Sequence, residues 1–232
     1  MKLSHKFGLL AGAAVALATA SAANATVYIG VSYGGGPIVT VATDPSDATW
    51  QGTIAPGLKV TTTTGSSGGY PSVLDSNVSV KYTGGTTGLQ ALDIFVTVDN
   101  LTSLLGKFDS GLTENQLTGN WNITESTFYS AANALWGGAL LASNLFSGPN
   151  SSTANYDALS GNIGLAGPYS VTHQYHIIAP TSGPTNSSLS TISVTATAVP
   201  EPATWALMLG GFGLAGLTLR SRSSKYKVDY AA

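Results

Sequence analysis

Hydrophobic and polar residues alternate with period two along much of the middle of the chain, which is the pattern of strands with one buried face. In residues 92–99, four aliphatic side chains share one face and three polar side chains share the other, with only Phe95 out of pattern. Similar stretches predict seven strands, at 26–33, 37–43, 58–64, 77–83, 92–99, 169–178 and 189–198. Polar, glycine-rich turns separate them, so we predict a mainly β fold, an antiparallel β-sandwich of jelly-roll or immunoglobulin-like type.

One segment, 124–146, shows a different period. Its apolar residues recur at helical spacing, although Gly137 and Gly138 interrupt the pattern, and glycine weakens a helix interior. The spacing predicts a helical insertion, or two short helices, that covers an open end of the sandwich and places Trp136 in the core. The stretch 147–168, rich in glycine, serine and proline, is expected to be a surface loop.

The N-terminal end has the pattern of a secretory signal peptide. Lys2 and Lys6 precede an uncharged apolar stretch, and small residues follow it. We predict cleavage after Ala25, with Ala22 as the alternative site. The other interpretation is a retained anchor helix, but a membrane span needs about 20 apolar residues, which is more than this stretch provides. Residues 1–25 are therefore set apart from the folded domain.

The C-terminal end has the pattern of a membrane segment that stops at a positively charged flank. Residues 205–219 contain no charge, and four basic residues follow as a stop-transfer signal: Arg220, Arg222, Lys225 and Lys227. Basic residues stay on the cytoplasmic side of a membrane, whereas Trp205 suits the headgroup boundary at the other end. The apolar stretch covers only ~23 Å of a hydrocarbon core of ~30 Å. The pattern predicts a short C-terminal transmembrane helix in contact with membrane lipid.

The residues just before this segment form an ordered motif. Pro200, Glu201 and Pro202 are followed by Trp205 and Ala206, and then by a glycine-rich apolar run. Proline lacks an amide hydrogen and disfavours helix in the residue before it, so the glutamate is held extended and accessible. The motif resembles the PEPxxWA form of the PEP-CTERM sorting signal.

This resemblance implies recognition by an exosortase, a membrane-embedded enzyme similar to cysteine transpeptidases. It also suggests association with extracellular polysaccharide in a Gram-negative bacterium. The tail departs from the family pattern, because serines interrupt its basic run and residues 225–232 extend beyond it. The alternative is a plain tail-anchored protein, in which the prolines merely space a domain from the lipid.

Composition excludes several classes of function for the exported domain, which we assign to residues 26–198, between the signal peptide 1–25 and the sorting segment 199–232. This domain contains three basic and nine acidic residues, a net charge of −6. Nucleic acid is therefore not expected as a partner, because phosphate binding needs clustered lysine and arginine. The chain has no cysteine, which excludes disulfides, thiolate catalysis and cysteine metal sites.

Two motifs in the domain are candidates for chemistry, one for a nucleophile and the other for a metal site. Ser67 lies in the stretch 65–69, which matches the Gly-x-Ser-x-Gly pattern of hydrolases. A nucleophile elbow lies between a strand and a helix, and no helix is predicted after Ser67. His173 and His176 are three residues apart in one predicted strand, so we expect them on opposite faces, where they cannot share a metal ion.

Two pairs of aspartates are the remaining candidates. Asp93 and Asp99 share a strand face, but their Cα atoms are expected ~20 Å apart, whereas glycosidase carboxyl groups lie within ~10 Å. Asp44 and Asp47 form either a calcium loop or a solvated turn, of which we favour the turn. We therefore predict no catalytic residue, no cofactor and no metal site.

The sequence as a whole predicts an exported, non-enzymatic protein of the cell surface or extracellular matrix, anchored in the membrane transiently. A second hypothesis is a carbohydrate- or surface-binding module. It expects Tyr33, Trp50, Tyr70 or Trp121 to gather on one exposed face, and burial of all four would remove its basis. A third hypothesis, a secreted hydrolase, requires an acid–base pair or a triad in one cleft.

Overall fold

The described part of the chain is built from β-strands. The computed structural model describes residues 25–67, 72–84, 89–102, 104–148, 153–165, 167–180, 186–198 and 208–214. Within these residues the strands are β1 (Val27–Tyr33), β2 (Val39–Asp44), β3 (Asp47–Ala55), β4 (Leu58–Ser66), β5 (Ser72–Tyr82), β6 (Leu92–Leu101), β7 (Leu104–Leu117), β8 (Asn122–Ser130), β9 (Ala139–Ser147), β10 (Ala154–Leu159), β11 (Ile163–Leu165), β12 (Tyr169–Ile178) and β13 (Asn186–Ala198).

The strands form two sheets that pack face to face. The six-stranded sheet has the order β2-β1-β6-β12-β8-β9, and the seven-stranded sheet has the order β10-β7-β13-β5-β4-β3 with β11 also paired to β7. Neighbouring strands run antiparallel throughout. The prediction of a mainly β, antiparallel sandwich is therefore confirmed.

Inward-facing side chains of both sheets form one hydrophobic core. In β6 the four aliphatic residues predicted to share a face are all fully buried. The largest buried side chains of the other strands and turns include Leu58, Leu74, Tyr82, Phe108, Leu112, Trp121, Ile123 and Tyr175. Burying one large apolar side chain stabilises a fold by about 1.5–3 kcal/mol, so these positions hold the two sheets together.

The helix predicted at 124–146 is wrong, because this segment contains the paired strands β8 and β9. In β8, Ile123, Glu125 and Thr127 point into the sandwich and are buried, which is the period-two pattern of a strand. The helical spacing of the apolar residues concealed this alternation. The connection 131–138 contains two glycines with positive φ, a conformation that an α-helix does not contain.

Trp136 lies in this connection and is not part of the core, contrary to the prediction. It is half-buried on the outer face of the six-stranded sheet. There it makes edge contacts with the rings of Tyr28 and Phe95. These contacts explain why Phe95, although it points away from the core, is only 9% exposed.

Strands also occupy segments that were predicted as loops or not predicted as strands. β10 and β11 lie within 147–168, where both pair with β7. Neither β3 nor β7 was predicted, because polar residues and glycine interrupt their alternation. Asp109, Gly111 and Glu114 of β7 are examples. These strands form because neighbouring strands supply backbone partners, which local patterning does not reveal.

The terminal segments lie mostly outside the described residues. Of the predicted signal peptide, only Ala25 is described, two residues before the start of β1. Residues 208–214 of the predicted transmembrane helix are helical, and their larger apolar side chains are exposed. In the ranges that the structure describes, no helix has the length and apolarity needed to cross a membrane.

Gly65 of β4 leaves no room for a side chain between the sheets. An added Cβ would stand 2.3 Å from Cγ1 of Val96 and 3.1 Å from Cγ1 of Val27. Gly65→Ala is therefore expected to lower the free energy of unfolding by about 1–3 kcal/mol, because overpacking strains a core. Urea unfolding followed by tryptophan fluorescence measures this change.

Gly161→Ala is the matched control for this substitution. Nothing lies within 4 Å of an added Cβ at Gly161, so its free energy of unfolding should stay within about 0.5 kcal/mol of wild type. Equal stability of the two variants would contradict the tight inter-sheet contact at Gly65.

Candidate functional site

An apolar groove opens at one edge of the sandwich, between β2 and β3. Each of these is the last strand of its sheet, so the groove lies where the two sheets part. It has a volume of about 350 Å³, and its lining includes Val31, Tyr33, Val39, Val41, Trp50 and Ile54. The lining contains no charged side chain. We call it the edge groove. Its uncharged lining suits a ligand without charge.

Two of the four aromatic residues expected on one face meet in this groove. Trp50 and Tyr33 are both half-buried there. The hydroxyl of Tyr33 accepts a hydrogen bond from the backbone N–H of Gln90, with an N–O distance of 3.0 Å. An added Cβ at Gly52 would stand 2.4 Å from Cζ2 of Trp50, so the indole lies across this glycine. Glycine in a strand often marks such a close approach.

The other two aromatic residues do not contribute to the groove. Trp121 is fully buried, and its Nε1–H donates a hydrogen bond to the carbonyl of Thr118 at 3.1 Å. Tyr70 lies outside the described residues. Of these four residues, Tyr33 and Trp50 thus share a partly exposed surface, and Trp121 does not contribute to it.

A cluster of polar side chains links the two sheets inside the core. Oγ of Ser76, on β5, lies 2.6 Å from Nδ1 of His173 and 2.7 Å from the hydroxyl of Tyr175, both on β12. The Tyr175 hydroxyl also accepts a hydrogen bond from the backbone N–H of Ile192 at 3.1 Å. Burial lowers the pKa of His173 to about 3, so its imidazole is neutral. Both Ser76 and His173 are buried in the core.

Two glutamates lie in the same interior. Burial raises the pKa of Glu114 to about 7, although Oγ of Ser190 donates a hydrogen bond to its Oε2 at 2.6 Å. Burial, and secondly the nearby charge of Glu114, raises the pKa of Glu125 to about 9. Among the described residues, neither carboxyl oxygen of Glu125 has a hydrogen-bond partner. The Glu125 side chain is therefore neutral at pH 7.

Sequence reasoning missed this polar cluster. Glu125 falls between Ile123 and Thr127, so a strand assignment for the segment would have placed its carboxyl group in the core. The predicted helix hid that signal. The pairing of Ser76 with His173 had no local signal at all, because the two residues are 97 positions apart.

The two histidines lie on opposite faces of β12, as predicted. His173 points into the core, whereas the His176 side chain is 40% exposed on the outer face. Nδ1 of His176 lies 2.8 Å from Oδ1 of Asp93. Asp99 lies on the same face as Asp93 but has separate partners, since its Oδ2 accepts a hydrogen bond from the hydroxyl of Tyr28 at 3.3 Å.

Ser67 and the turn at Asp44 make hydrogen-bonding contacts within the fold. Oγ of Ser67 contacts the carbonyl of Ser46 at 3.5 Å, and the next described element is the strand β5. Oδ1 of Asp44 accepts hydrogen bonds from the backbone N–H groups of Ser46 and Asp47, which lower the pKa of Asp44 and form the favoured turn. The described ranges contain no group of three or more His, Asp or Glu side chains that could hold a metal ion.

The residues of the predicted sorting signal and stop-transfer signal lie outside the described part of the chain. They are Pro200, Glu201, Pro202, Trp205, Ala206, Arg220, Arg222, Lys225 and Lys227. The last strand, β13, ends at Ala198, immediately before them. The roles of the individual residues in these signals, and of Ala25 in cleavage, stay predictions.

The described residues thus define an antiparallel β-sandwich with an aromatic groove at one edge. The chain carries a PEP-CTERM protein-sorting motif, which matches residues 198–223. This match confirms the resemblance found in the sequence, and the motif indicates export and membrane-associated sorting toward the cell surface by an exosortase. No curated protein matches the sequence.

Solved structures resemble this chain only distantly. TmCBM61 in complex with β-1,4-galactotriose is 9% identical with a TM-score of 0.34, over 64% of this chain and 88% of that one. The adhesin domain of Epf from Streptococcus pyogenes is 9% identical with a TM-score of 0.38, over 75% and 60%. The CBM22-1 xylan-binding domain from Paenibacillus barcinonensis Xyn10C is 8% identical with a TM-score of 0.30, over 65% and 86%.

The raised pKa of Glu125 predicts a stability that falls as the pH rises. Its contribution is full below the ordinary pKa of 4.5 and is lost as the pH approaches about 9. Glu114 acts in the same direction as Glu125, and its effect ends near about pH 7. His173 acts in the opposite direction, and its effect ends near its ordinary pKa of 6.5. Between about pH 7 and 9, wild type should lose up to about 1.4 kcal/mol per pH unit, whereas Glu125→Gln should stay nearly constant.

Urea unfolding across this pH range measures the difference. Asp109→Asn, on the exposed side of β7, is the control and should keep the slope of wild type. Parallel curves for Glu125→Gln and wild type would contradict a protonated Glu125 in the folded state.

Proposed function

We propose that this chain is an exported, non-enzymatic protein of the cell surface or extracellular matrix. The proposal rests on the sequence of features at the C-terminal end. The sorting motif at 198–223 includes an uncharged stretch that is followed by basic residues. This order supports a protein that is held briefly in the membrane, cut near Pro200 to Pro202, and then released or attached outside. The enclosure of Ser76 and His173 supports a non-enzymatic role.

Cell fractionation tests the sorting proposal. The full chain is expressed in bacteria with and without the exosortase, and the mass of the product is measured in each fraction. With the enzyme, we expect a surface or extracellular product that begins at Thr26 and ends near Pro200. Without the enzyme, the product should retain its tail and remain in the inner membrane.

Two proline variants separate the motif from general folding effects. Pro202→Ala should impair processing, because residue 201 is then free to join a helix. Pro45→Ala, in the exposed turn between β2 and β3, should be processed as wild type. A full-length, inner-membrane product with and without the enzyme would contradict processing and favour a plain tail anchor.

A second candidate function is carbohydrate or surface binding, which the edge groove favours. Trp50 and Tyr33 supply large aromatic surface at its opening, with a polar atom on each ring. Such rings suit the apolar faces of sugars, which also carry hydroxyl groups around their edges. The absence of charge in the lining supports an uncharged polymer or partner.

Trp50→Ala tests the groove. We expect about tenfold weaker binding of the mature protein to extracellular polysaccharide purified from the producing bacterium, measured by affinity electrophoresis, because buried aromatic anchors dominate such contacts. Tyr156→Ala is the matched control, since this tyrosine is 41% exposed on β10 at another edge of the sandwich. Unchanged binding by Trp50→Ala would contradict a role for the groove.

A further inference from the structure

A short connection crosses the outer face of the six-stranded sheet. Residues 131–138, between β8 and β9, are here called the strap. Oγ of Ser170 donates a hydrogen bond to the carbonyl of Ala134, and the backbone N–H of Gly137 donates one to Oγ1 of Thr172. The strap is therefore tied to β12, which lies in the middle of this sheet.

Two residues of the strap, and Asn100 of β6 which contacts it, have an unusual backbone conformation. The described non-glycine residues with positive φ are Asn100, Asn133 and Trp136, at 53°, 55° and 63°. A positive φ is uncommon outside glycine and persists only where the surroundings impose it. Here the side chain of Asn133 bonds to both the backbone N–H and the side-chain oxygen of Asn100, at 2.8 and 2.9 Å. These bonds tie the strap to Asn100 of β6.

The fixed strap places the indole of Trp136 over the sheet. An added Cβ at Gly30 would stand 2.9 Å from Cη2 of Trp136, so the ring lies directly above this glycine. The ring centroid is 6.1 Å from that of Phe95 and 6.5 Å from that of Tyr28, both with edge geometry. Trp136 stays half-exposed, so part of its surface is available to a ligand.

Polar side chains lie beside this aromatic group on the same face. The strand register places Gln174 opposite Phe95 and His176 opposite Asp93. Nε2 of Gln174 donates a hydrogen bond to Oδ1 of Asp93 at 3.0 Å, and Nδ1 of His176 lies 2.8 Å from the same oxygen. Neither of these contacts involves Oδ2 of Asp93. The amide oxygen of Gln174 and Oδ2 of Asp93 can therefore accept hydrogen bonds from a ligand.

The charge of this face selects the class of ligand. The lysines of the described residues, Lys59, Lys81 and Lys107, lie on β4, β5 and β7 of the other sheet. An anionic polymer would thus meet the carboxylate of Asp93 without a lysine or arginine to balance its charge. Hydroxyl groups, which both donate and accept hydrogen bonds, match the carboxylate, amide and imidazole groups of the face.

We propose that the outer face of the six-stranded sheet binds a neutral polysaccharide, with Trp136 as the aromatic platform and Asp93, Gln174 and His176 as its hydrogen-bonding partners. This inference rests on the binding form of the proposed function, but it uses none of the residues of the edge groove. The row from Phe95 across β12 to Ser126 of β8 spans three adjacent strands, or about 10 Å.

Titration calorimetry with the mature protein tests this site. The probes are neutral hexasaccharides of glucose, mannose, galactose and xylose, with a hexamer of galacturonic acid as the anionic counterpart. We expect binding of at least one neutral probe and no binding of the anionic one. Trp136→Ala should weaken this binding at least about tenfold, and Gln174→Ala about threefold to tenfold, as expected for one lost hydrogen bond.

Matched variants distinguish this site from the edge groove and from loss of folding. Gln116→Ala, exposed on β7 of the other sheet, should bind the hexasaccharide within about twofold of wild type. Asp93→Asn keeps the shape of the side chain and should weaken binding, which tests the site even if Trp136→Ala does not fold.

Three results would overturn the proposal. One is binding that is lost in Trp50→Ala and unchanged in Gln174→Ala and Asp93→Asn, which would assign carbohydrate to the groove. Another is binding of the galacturonate hexamer alone. The third is that wild type binds none of the neutral probes. That result would not bear on the proposal of export and sorting, which cell fractionation tests separately.

Discussion

The inward aliphatic face of β6 is the contact on which the rest of the structure depends. Val96 of this strand approaches Gly65 of the opposite sheet so closely that no Cβ fits between them. Because β6 pairs with β1 on one side and β12 on the other, its register decides which residues of three strands face outward. A slip of one residue would exchange the buried and exposed faces. The packing of the core therefore also sets Asp93 and Phe95 on the outer surface.

The interior is not wholly apolar, and its polar groups are compatible with the fold only when uncharged. His173 is neutral because burial disfavours its cation, and Glu125 is neutral because burial disfavours its anion. Charging either group would leave an ion in the core without a counter-ion. The hydrogen bonds of Tyr175 and Ser76 connect the sheets through groups that carry no charge near neutral pH. The free energy of unfolding therefore depends on pH below neutrality through His173 and above neutrality through Glu125.

The sequence predicted the strands whose alternation is clean and missed those whose pairing is non-local. The stretches 92–99 and 169–178 alternate between a core face and an outer face, and both are strands close to the predicted bounds. The prediction for segment 124–146 was wrong because its apolar residues repeat at helical spacing, whereas strand pairing in one sheet and burial between the two sheets override that local preference. The position of Trp136 depends on the contact between Asn100 and Asn133, which are 33 residues apart. No local pattern contains that contact.

In the candidate surfaces, too, features set by local sequence were predictable and features set by distant contacts were not. The groove was partly predictable, because Tyr33 and Trp50 stand out among polar neighbours, yet Trp121 has similar neighbours and is buried. Opposite faces for His173 and His176 followed from strand geometry alone. The partners of His176 did not, because Asp93 is 83 residues away and is brought near by the pairing of β6 with β12.

The described fold begins and ends beside the two predicted processing sites. The backbone N of Thr26 lies 3.2 Å from Oδ1 of Asp99, and Oδ2 of the same carboxylate accepts a hydrogen bond from the hydroxyl of Tyr28. A cut after Ala25 would convert this nitrogen to an ammonium group, and a charged donor makes a stronger hydrogen bond to a carboxylate than a neutral one. At the other end, β13 completes its pairing at Ala198. Removal of both end segments would therefore leave every described strand intact, because neither segment contributes a residue to the registered pairs.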